Sequence, residues 1–182
     1  EGIATLDLPT DRPRPPMQTF RGANLPFTLS RELSDGLIRL GRTQGTTLFM
    51  TLLAGFQALL ARYSGQQDAV VGSPIAGRNR EEIEGLIGFF VNTLVVRTHF
   101  EDDPTVRELL ERVRGTVLGA FAHQDVPFEM LVEHLQPERD TSRSPLFQVM
   151  LIMLNVPSAD LETAGLTVTP LPVDTKTAKF DL

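Results

Sequence analysis

Two runs of this chain, Gly88 to Thr98 (GFFVNTLVVRT) and Pro145 to Leu154 (PLFQVMLIML), have the length of strands and are apolar on both of their alternating faces. A strand with one wet face alternates strictly, whereas a strand apolar on both faces belongs inside a sheet covered by helices. These two runs therefore demand an α/β architecture in which other segments supply the cover. Several segments have the right pattern. Arg31 to Gln44 places Leu33, Leu37, Ile38 and Leu40 on one side, with Ser30 set to cap its start and Gly45 to end it in the left-handed conformation. Thr46 or Thr47 caps a second helix through Tyr63, apolar nearly all round with only Arg62 charged, which predicts a core helix buried on both sides or one that faces a missing partner. At about 16 residues it falls short of the roughly 20 needed to span a bilayer.

Further strands are predicted at Leu25 to Leu29, with Pro26 placing it on an edge, and at Asp68 to Ala76. In the latter Gly72 and Pro74 argue for a bulge or a stop. A short helical piece follows near Glu81 to Leu86. Asp103 and Pro104 start a helix with proline at its first position, followed by Val106, Leu109, Leu110, Val113, Val117 and Phe121 at the 3.6 period. Glu108 and Arg112 are spaced to pair on its wet face. Asp125 and Pro127 open another short helix, and Leu166 to Leu171 and Ala178 to Leu182 read as strands. The Pro-rich opening, Leu8 to Pro16, reads as an extended linker. It carries no signal or membrane-anchor pattern, and a chain that opens there without an initiator Met reads as a piece of something longer.

Composition removes whole classes of function. With 182 residues, 41% hydrophobic and 22% charged, the chain has the make-up of one globular domain. Its 17 Lys and Arg against 23 Asp and Glu give a net charge of -6, with no basic stripe, so neither nucleic acid nor an acidic membrane surface is expected as a partner. The absence of cysteine excludes disulfides and thiolate chemistry and fits a reducing compartment, so the cytoplasm is the expected location.

Little catalytic chemistry is visible. His99, His123 and His134 are the three histidines, and none pairs with another at i, i+3 or i, i+4, so a metal pair on one helical face is not expected. No nucleophile elbow, phosphate loop or dinucleotide fingerprint occurs, and the acid pairs Glu81-Glu82 and Asp102-Asp103 lie in turn regions. Three polar features stand out. Asn92 lies in an apolar run, where an unbonded amide costs of order 1 to 3 kcal/mol, so it must have partners; a structural bond and a substrate contact both meet that demand. Arg97, five residues on, falls on the opposite face of a regular strand and fits a surface ion pair or a salt bridge to a partner lobe. Gly72-Ser73-Pro74 admits either a close ligand approach or a plain bulge.

At these residues the sequence resembles a known family. Arg62 to Arg78 (RYSGQQDAVVGSPIAGR), then Ile87 to Thr93 (IGFFVNT) with Arg97, then His123 to Glu129 (HQDVPFE) and Arg143 to Gln148 (RSPLFQ) are similar, in order, to motifs of the condensation domains of nonribosomal peptide synthetases. Leu8 to Pro15 (LPTDRPRP) resembles the linker between that family's two lobes.

The resemblance implies a chloramphenicol-acetyltransferase-like lobe, a mixed β-sheet covered by helices, with residues 1–19 as inter-lobe linker and 20–182 as a C-terminal lobe incomplete at its C-terminal end. It implies a part in forming a peptide bond between a donor acyl or peptidyl thioester and an acceptor aminoacyl thioester. The substrates arrive on phosphopantetheine arms of peptidyl carrier proteins, with no cofactor bound directly and no metal. An N-terminal lobe and an adjacent adenylation domain are the other implied partners. The family's HHxxxDG motif belongs to the N-terminal lobe, and no adjacent histidine pair occurs here, so the chain is expected to be inactive alone and to hold no catalytic residue of its own.

Carried over residue by residue, Asn92, Gly72, Ser73, Pro74, Phe89 and Phe90 would lie at the substrate tunnel or lobe interface, with Arg97 and Arg78 as structural support. The alternatives are a non-catalytic module that docks carrier protein or neighbouring synthetase domains, and a lobe of an epimerising or heterocyclising sibling. An apolar surface is expected where a partner lobe sits.

Overall fold

Local capping chemistry decides where the helices begin. In the computed structural model, which describes residues 2–154, 162–163, 166–167, 171 and 173–182, helix α1 (Arg31–Gln44) starts where Ser30 Oγ accepts the N–H of Leu33 at 3.2 Å and ends at Gly45 with φ 65°. Helix α2 (Leu48–Ser64) starts where Thr47 accepts the N–H of Met50 at 3.2 Å. Strand β1 (Asp68–Ile75) leads through the short helix α3 (Glu81–Glu84) to strand β2 (Asn92–His99), then to α4 (Val106–Ala122) and α5 (Phe128–Leu135).

The start of α4 differs from the expectation. Thr105, not the residue before Pro104, is the cap, and a reciprocal pair forms: Thr105 Oγ1 accepts the N–H of Glu108 while the Glu108 carboxylate accepts the N–H of Thr105 at 2.8 Å. Two otherwise orphaned donors are satisfied at once, which outweighs the preference for proline at the first helical position. The expected Glu108–Arg112 pairing gives way to this, and Arg112 donates instead to the carbonyls of His99 at 3.0 Å and Glu101 at 3.2 Å.

Strands β1 and β2 pair antiparallel from Asp68↔His99 to Ile75↔Asn92 without interruption, so the bulge or stop expected at Gly72–Pro74 does not occur. The reason lies on the other edge of β1. Gly72 donates to Val149 O at 3.0 Å and accepts from Leu151 N at 2.9 Å, turning both of its polar groups away from β2. Pro74, two residues on, has its nitrogen on that same side, so the donor it lacks is not one that β2 requires.

Four other strand expectations change. The run 88–98 becomes strand only at Asn92. The run 145–154 makes a single parallel bridge, Gly72↔Met150, rather than a ladder, so β1 is the inner strand and β2 has no further strand beside it among the described residues. The sheet is therefore mixed: antiparallel on one side of β1 and parallel on the other. Residues 25–29 form no strand, because Leu25 and Phe27 find no partner and stand in solvent. Residues 178–182 form no strand and attach through isolated backbone bonds, Ala178 N to Phe20 O at 2.9 Å, Asp181 N to Gln148 O at 2.8 Å and Met150 N to Leu182 O at 2.9 Å. The run 166–171 is seen as β4 (Leu166–Thr167), paired with β3 (Glu162–Thr163), while residues 168–170 lie outside the described ones.

The sheet separates two apolar clusters. On one face Val71 and Val96 meet Met50, Leu53 and Leu60 of α2 and Leu110, Val113 and Val117 of α4, with Leu6 and Val149. Gln57 of α2 is fully buried there; its amide donates to the carbonyls of Ala69 and Val96 and accepts from Thr98 Oγ1. On the other face Val70, Leu146 and Phe147 gather Val95, Phe128, Leu131, Met150 and Phe180. Leu59 and Tyr63 on the outer side of α2 are exposed, so of the two expectations for this helix burial on both sides is not met. The N-terminal stretch runs extended but is anchored: Leu6 is 5% exposed within the first cluster, and Arg14 pairs with Asp181.

Candidate functional site

Asn92 begins β2, and its amide is filled by the turn between α4 and α5. Nδ2 donates to Gln124 O and Val126 O, both at 2.8 Å; Oδ1 accepts from Thr93 N at 2.8 Å and Phe128 N at 3.1 Å. Both donors and both acceptor positions of the side chain are therefore in use. Asn79 Nδ2 donates to Asp125 Oδ1 at 3.0 Å and ties the same turn to the connection between the strands. The run HQDVPFE and the run IGFFVNT, remote in sequence, are thus fastened to each other.

The connection itself, residues 76–91, is organised by Gly77 and Arg78. Gly77 has φ 64°, and a Cβ there would lie 1.9 Å from the carbonyl oxygen of Phe90. Arg78 donates to the carbonyls of Ile83, Glu84 and Gly88, and its guanidinium lies over the Phe90 ring at 4.4 Å. Phe89 and Phe90 part company: Phe90 is half-buried beneath Arg78, whereas Phe89 is 88% exposed beside the fully exposed Ile87.

Arg97 falls on the opposite sheet face from Asn92, as the parity of an unbroken ladder requires. Its Nε donates to Asp68 Oδ1 at 3.0 Å and Oδ2 at 2.8 Å, with Nη2 at 2.7 Å from Oδ2 and 3.1 Å from Gly2 O. Hydrogen bonding to Asp68 raises the guanidinium's pKa above its ordinary value, with burial opposing. Gly72 is covered from within, since a Cβ there would lie 2.4 Å from the Phe147 ring, and Ser73 is buried on the opposite face.

Asp68 and Asp125, partners of Arg97 and Asn79, have no site role in the sequence reading, where Asp125 figures only as a helix start; a carboxylate one strand away from an arginine is the available signal for the first. A cleft of about 1120 Å³ opens elsewhere, between residues 2–5, α5 and residues 136–148, and no residue from 72 to 97 lines it. Among the described residues no group of three or more His, Asp or Glu side chains is placed to hold a metal. What the region from Gly72 to Arg97 offers is shape: a stapled turn and an exposed apolar crest.

The family model described as Condensation domain matches residues 1–182. The chain is 50% identical over 177 residues to malpinin synthetase of Mortierella alpina, covering 97% of this chain and 2% of that protein. It is 42% identical over 182 residues to gramicidin S synthase 2 of Brevibacillus brevis, covering 100% of this chain and 4% of that one. The chain thus spans only a small part of the length of the curated relatives it matches. In three dimensions it is similar to holo-AB3403, a four-domain nonribosomal peptide synthetase bound to AMP and glycine, with a TM-score of 0.88 and 28% identity over 98% of this chain and 15% of that chain. It is also similar to the X-domain in its complex with OxyB from teicoplanin biosynthesis, with a TM-score of 0.76 and 31% identity over 80% of this chain and 32% of that one.

Proposed function

From the premise that this chain belongs to the condensation-domain family, we propose that it is the C-terminal, acceptor-side lobe of a nonribosomal peptide synthetase condensation domain and does no chemistry alone. Its fold is the chloramphenicol-acetyltransferase-like α/β fold of its structural neighbours. One observation carries the reading. The match to the family runs through the whole chain, yet the sequence contains no adjacent histidine pair.

In this reading an N-terminal lobe brings HHxxxDG, and carrier proteins present both substrates on phosphopantetheine arms, in the cytoplasm, next to an adenylation domain. The acceptor amine attacks the donor thioester carbonyl, the C–N bond forms, the C–S bond breaks, and the proton lost by nitrogen accompanies the departing sulfur. The part of this chain is to hold geometry. Asn92 has no hydrogen-bonding position left for a substrate, so it shapes the tunnel end by fixing the α4–α5 turn. Arg97 braces the sheet edge through Asp68. The crest with Phe89 and Ile87 supplies apolar surface.

Mixing this chain with the N-terminal lobe and loaded carrier proteins tests the proposal: dipeptidyl carrier protein detected by intact-protein mass spectrometry is the expected result. Associated, folded lobes that yield none would overturn it. A second reading, a docking module without chemistry, draws on the similarity to an X-domain solved in complex with OxyB. A parent reading frame without HHxxxDG upstream would favour it.

A further inference from the structure

The connection between β1 and β2 has almost no core of its own. Ile83 and Phe90 are half-buried, but Leu86 is 52% exposed, Ile87 105% and Phe89 88%, and α3 begins without a side-chain cap. A segment that buries so little apolar surface is expected to be mobile unless polar bonds hold it. Backbone bonds close the turn of α3, Ile83 N to Arg80 O at 3.1 Å and Leu86 N to Ile83 O at 3.3 Å, and Asn79 reaches out to Asp125 at 3.0 Å; the side-chain bonds that run within the connection come from Arg78. Arg78 Nη1 reaches the carbonyls of Ile83 and Glu84, the last two residues of α3, and Nη2 reaches Gly88 O at 3.3 Å. The same guanidinium lies over the Phe90 ring, 4.4 Å from its centroid. Gly77 takes a left-handed turn just before Arg78, and Asn92, two residues beyond Phe90, is fixed to the α4–α5 turn. The loop is thus held to the α4–α5 turn by Asn79 near its start and by Asn92 at its far end, and from within by the Arg78 guanidinium.

We propose that Arg78 is a positioning residue for condensation: its guanidinium preorganises residues 83–91, so that this apolar crest meets the tethered acceptor in one fixed shape. This rests on the condensation-lobe reading above. The planarity matters as well as the charge. Lysine is a compact point charge on a flexible stem and cannot reach three dispersed carbonyls while also sitting over a ring. A loosened wall misplaces the reacting groups, which lowers turnover rather than the affinity for the loaded carrier.

Two measurements on Arg78→Lys and Arg78→Met test this. In the chain alone, chymotrypsin should cut after Leu86, Phe89 or Phe90 about tenfold faster in both variants than in wild type, with the melting transition of the rest retained. Unchanged cleavage overturns the role of Arg78 in the loop. In the intact condensation domain that carries this chain, kcat should fall about tenfold or more while KM for the loaded carrier stays within about twofold. Unchanged kcat, or a change confined to KM, overturns the positioning role. A wild-type domain that makes no peptide bond overturns the condensation reading and this role with it, while the cleavage result still reports separately on the loop.

Discussion

Asn92, the first residue of β2, accepts the backbone N–H of Phe128, the first residue of α5, at 3.1 Å. Pro127 precedes α5 and has no side-chain oxygen to cap it, so an amide from a strand supplies the cap. The same amide holds Gln124 and Val126 through their carbonyls.

Replacing Asn92 by alanine leaves two carbonyls and two N–H groups without their partner, at a cost of about 1–3 kcal/mol. Asn92→Asp should cost at least as much, because a carboxylate cannot donate to those carbonyls. Urea denaturation of the chain measures both; an unchanged midpoint for the two variants would sink the staple.

Gln57 is buried and bonded to both strands and to Thr98. Gln57→Leu should destabilise by about 1–3 kcal/mol, since the Thr98 hydroxyl is left buried and unpaired. Adding Thr98→Val removes the orphaned hydroxyl and should restore part of that loss. Strictly additive losses in the double mutant would contradict the coupling.

Gly72→Ala places a methyl group 2.4 Å from the Phe147 ring, which also packs on Phe128 and Phe180 at centroid distances of 5.5 and 5.4 Å. The ring cannot retreat without disturbing both neighbours. A loss of about 1–3 kcal/mol is expected, eased by Phe147→Leu. Thermal unfolding decides it.

Leu6→Ala should cost about 2–4 kcal/mol, because Leu6 sits in the cluster with α2 and α4 rather than in a free linker. A loss below about 0.5 kcal/mol, the scale of surface substitutions, would return residues 2–8 to linker status.

Glu108 answers to pH. Its hydrogen bonds to the Thr105 side chain and backbone lower its pKa below the ordinary value of 4.5, so its contribution to stability is present above that value and is lost as the pH falls through the lowered one. Thr105→Ala should therefore flatten the stability curve on the acid side and leave its shape near neutrality unchanged. An acid limb identical to that of wild type would rule this out.

The legible parts of the fold were those decided within a few residues. Ser30 and Gly45 mark helix ends, and Thr46 or Thr47 a start that the structure assigns to Thr47, because a cap needs an oxygen three residues from its N–H, or a residue free to turn left-handed. That Asn92 must be bonded was legible too, because an amide in an apolar run has to be satisfied. Its partners were not, since Gln124 and Phe128 lie 32 and 36 residues away. Arg97 likewise announced an ion pair but not Asp68, 29 residues back on the neighbouring strand. The family motifs carried the resemblance but left the internal bonding of residues 76–91 invisible, because Arg78 acts on backbone carbonyls, which every residue possesses.

By itself the sequence determined the helices, the α/β class and the placing of Asn92 and Arg97 on opposite faces, because periods of 3.6 and 2 are properties of the local backbone. Only the tertiary structure decided that β1 is the inner strand, that Pro74 causes no break, that Phe147 fills the space over Gly72, and that the strand after IGFFV begins at Asn92. Each of those depends on which distant segment claims a strand edge or a sheet face. That is settled by hydrogen-bond direction and close packing between residues far apart in the chain, where no local pattern reaches.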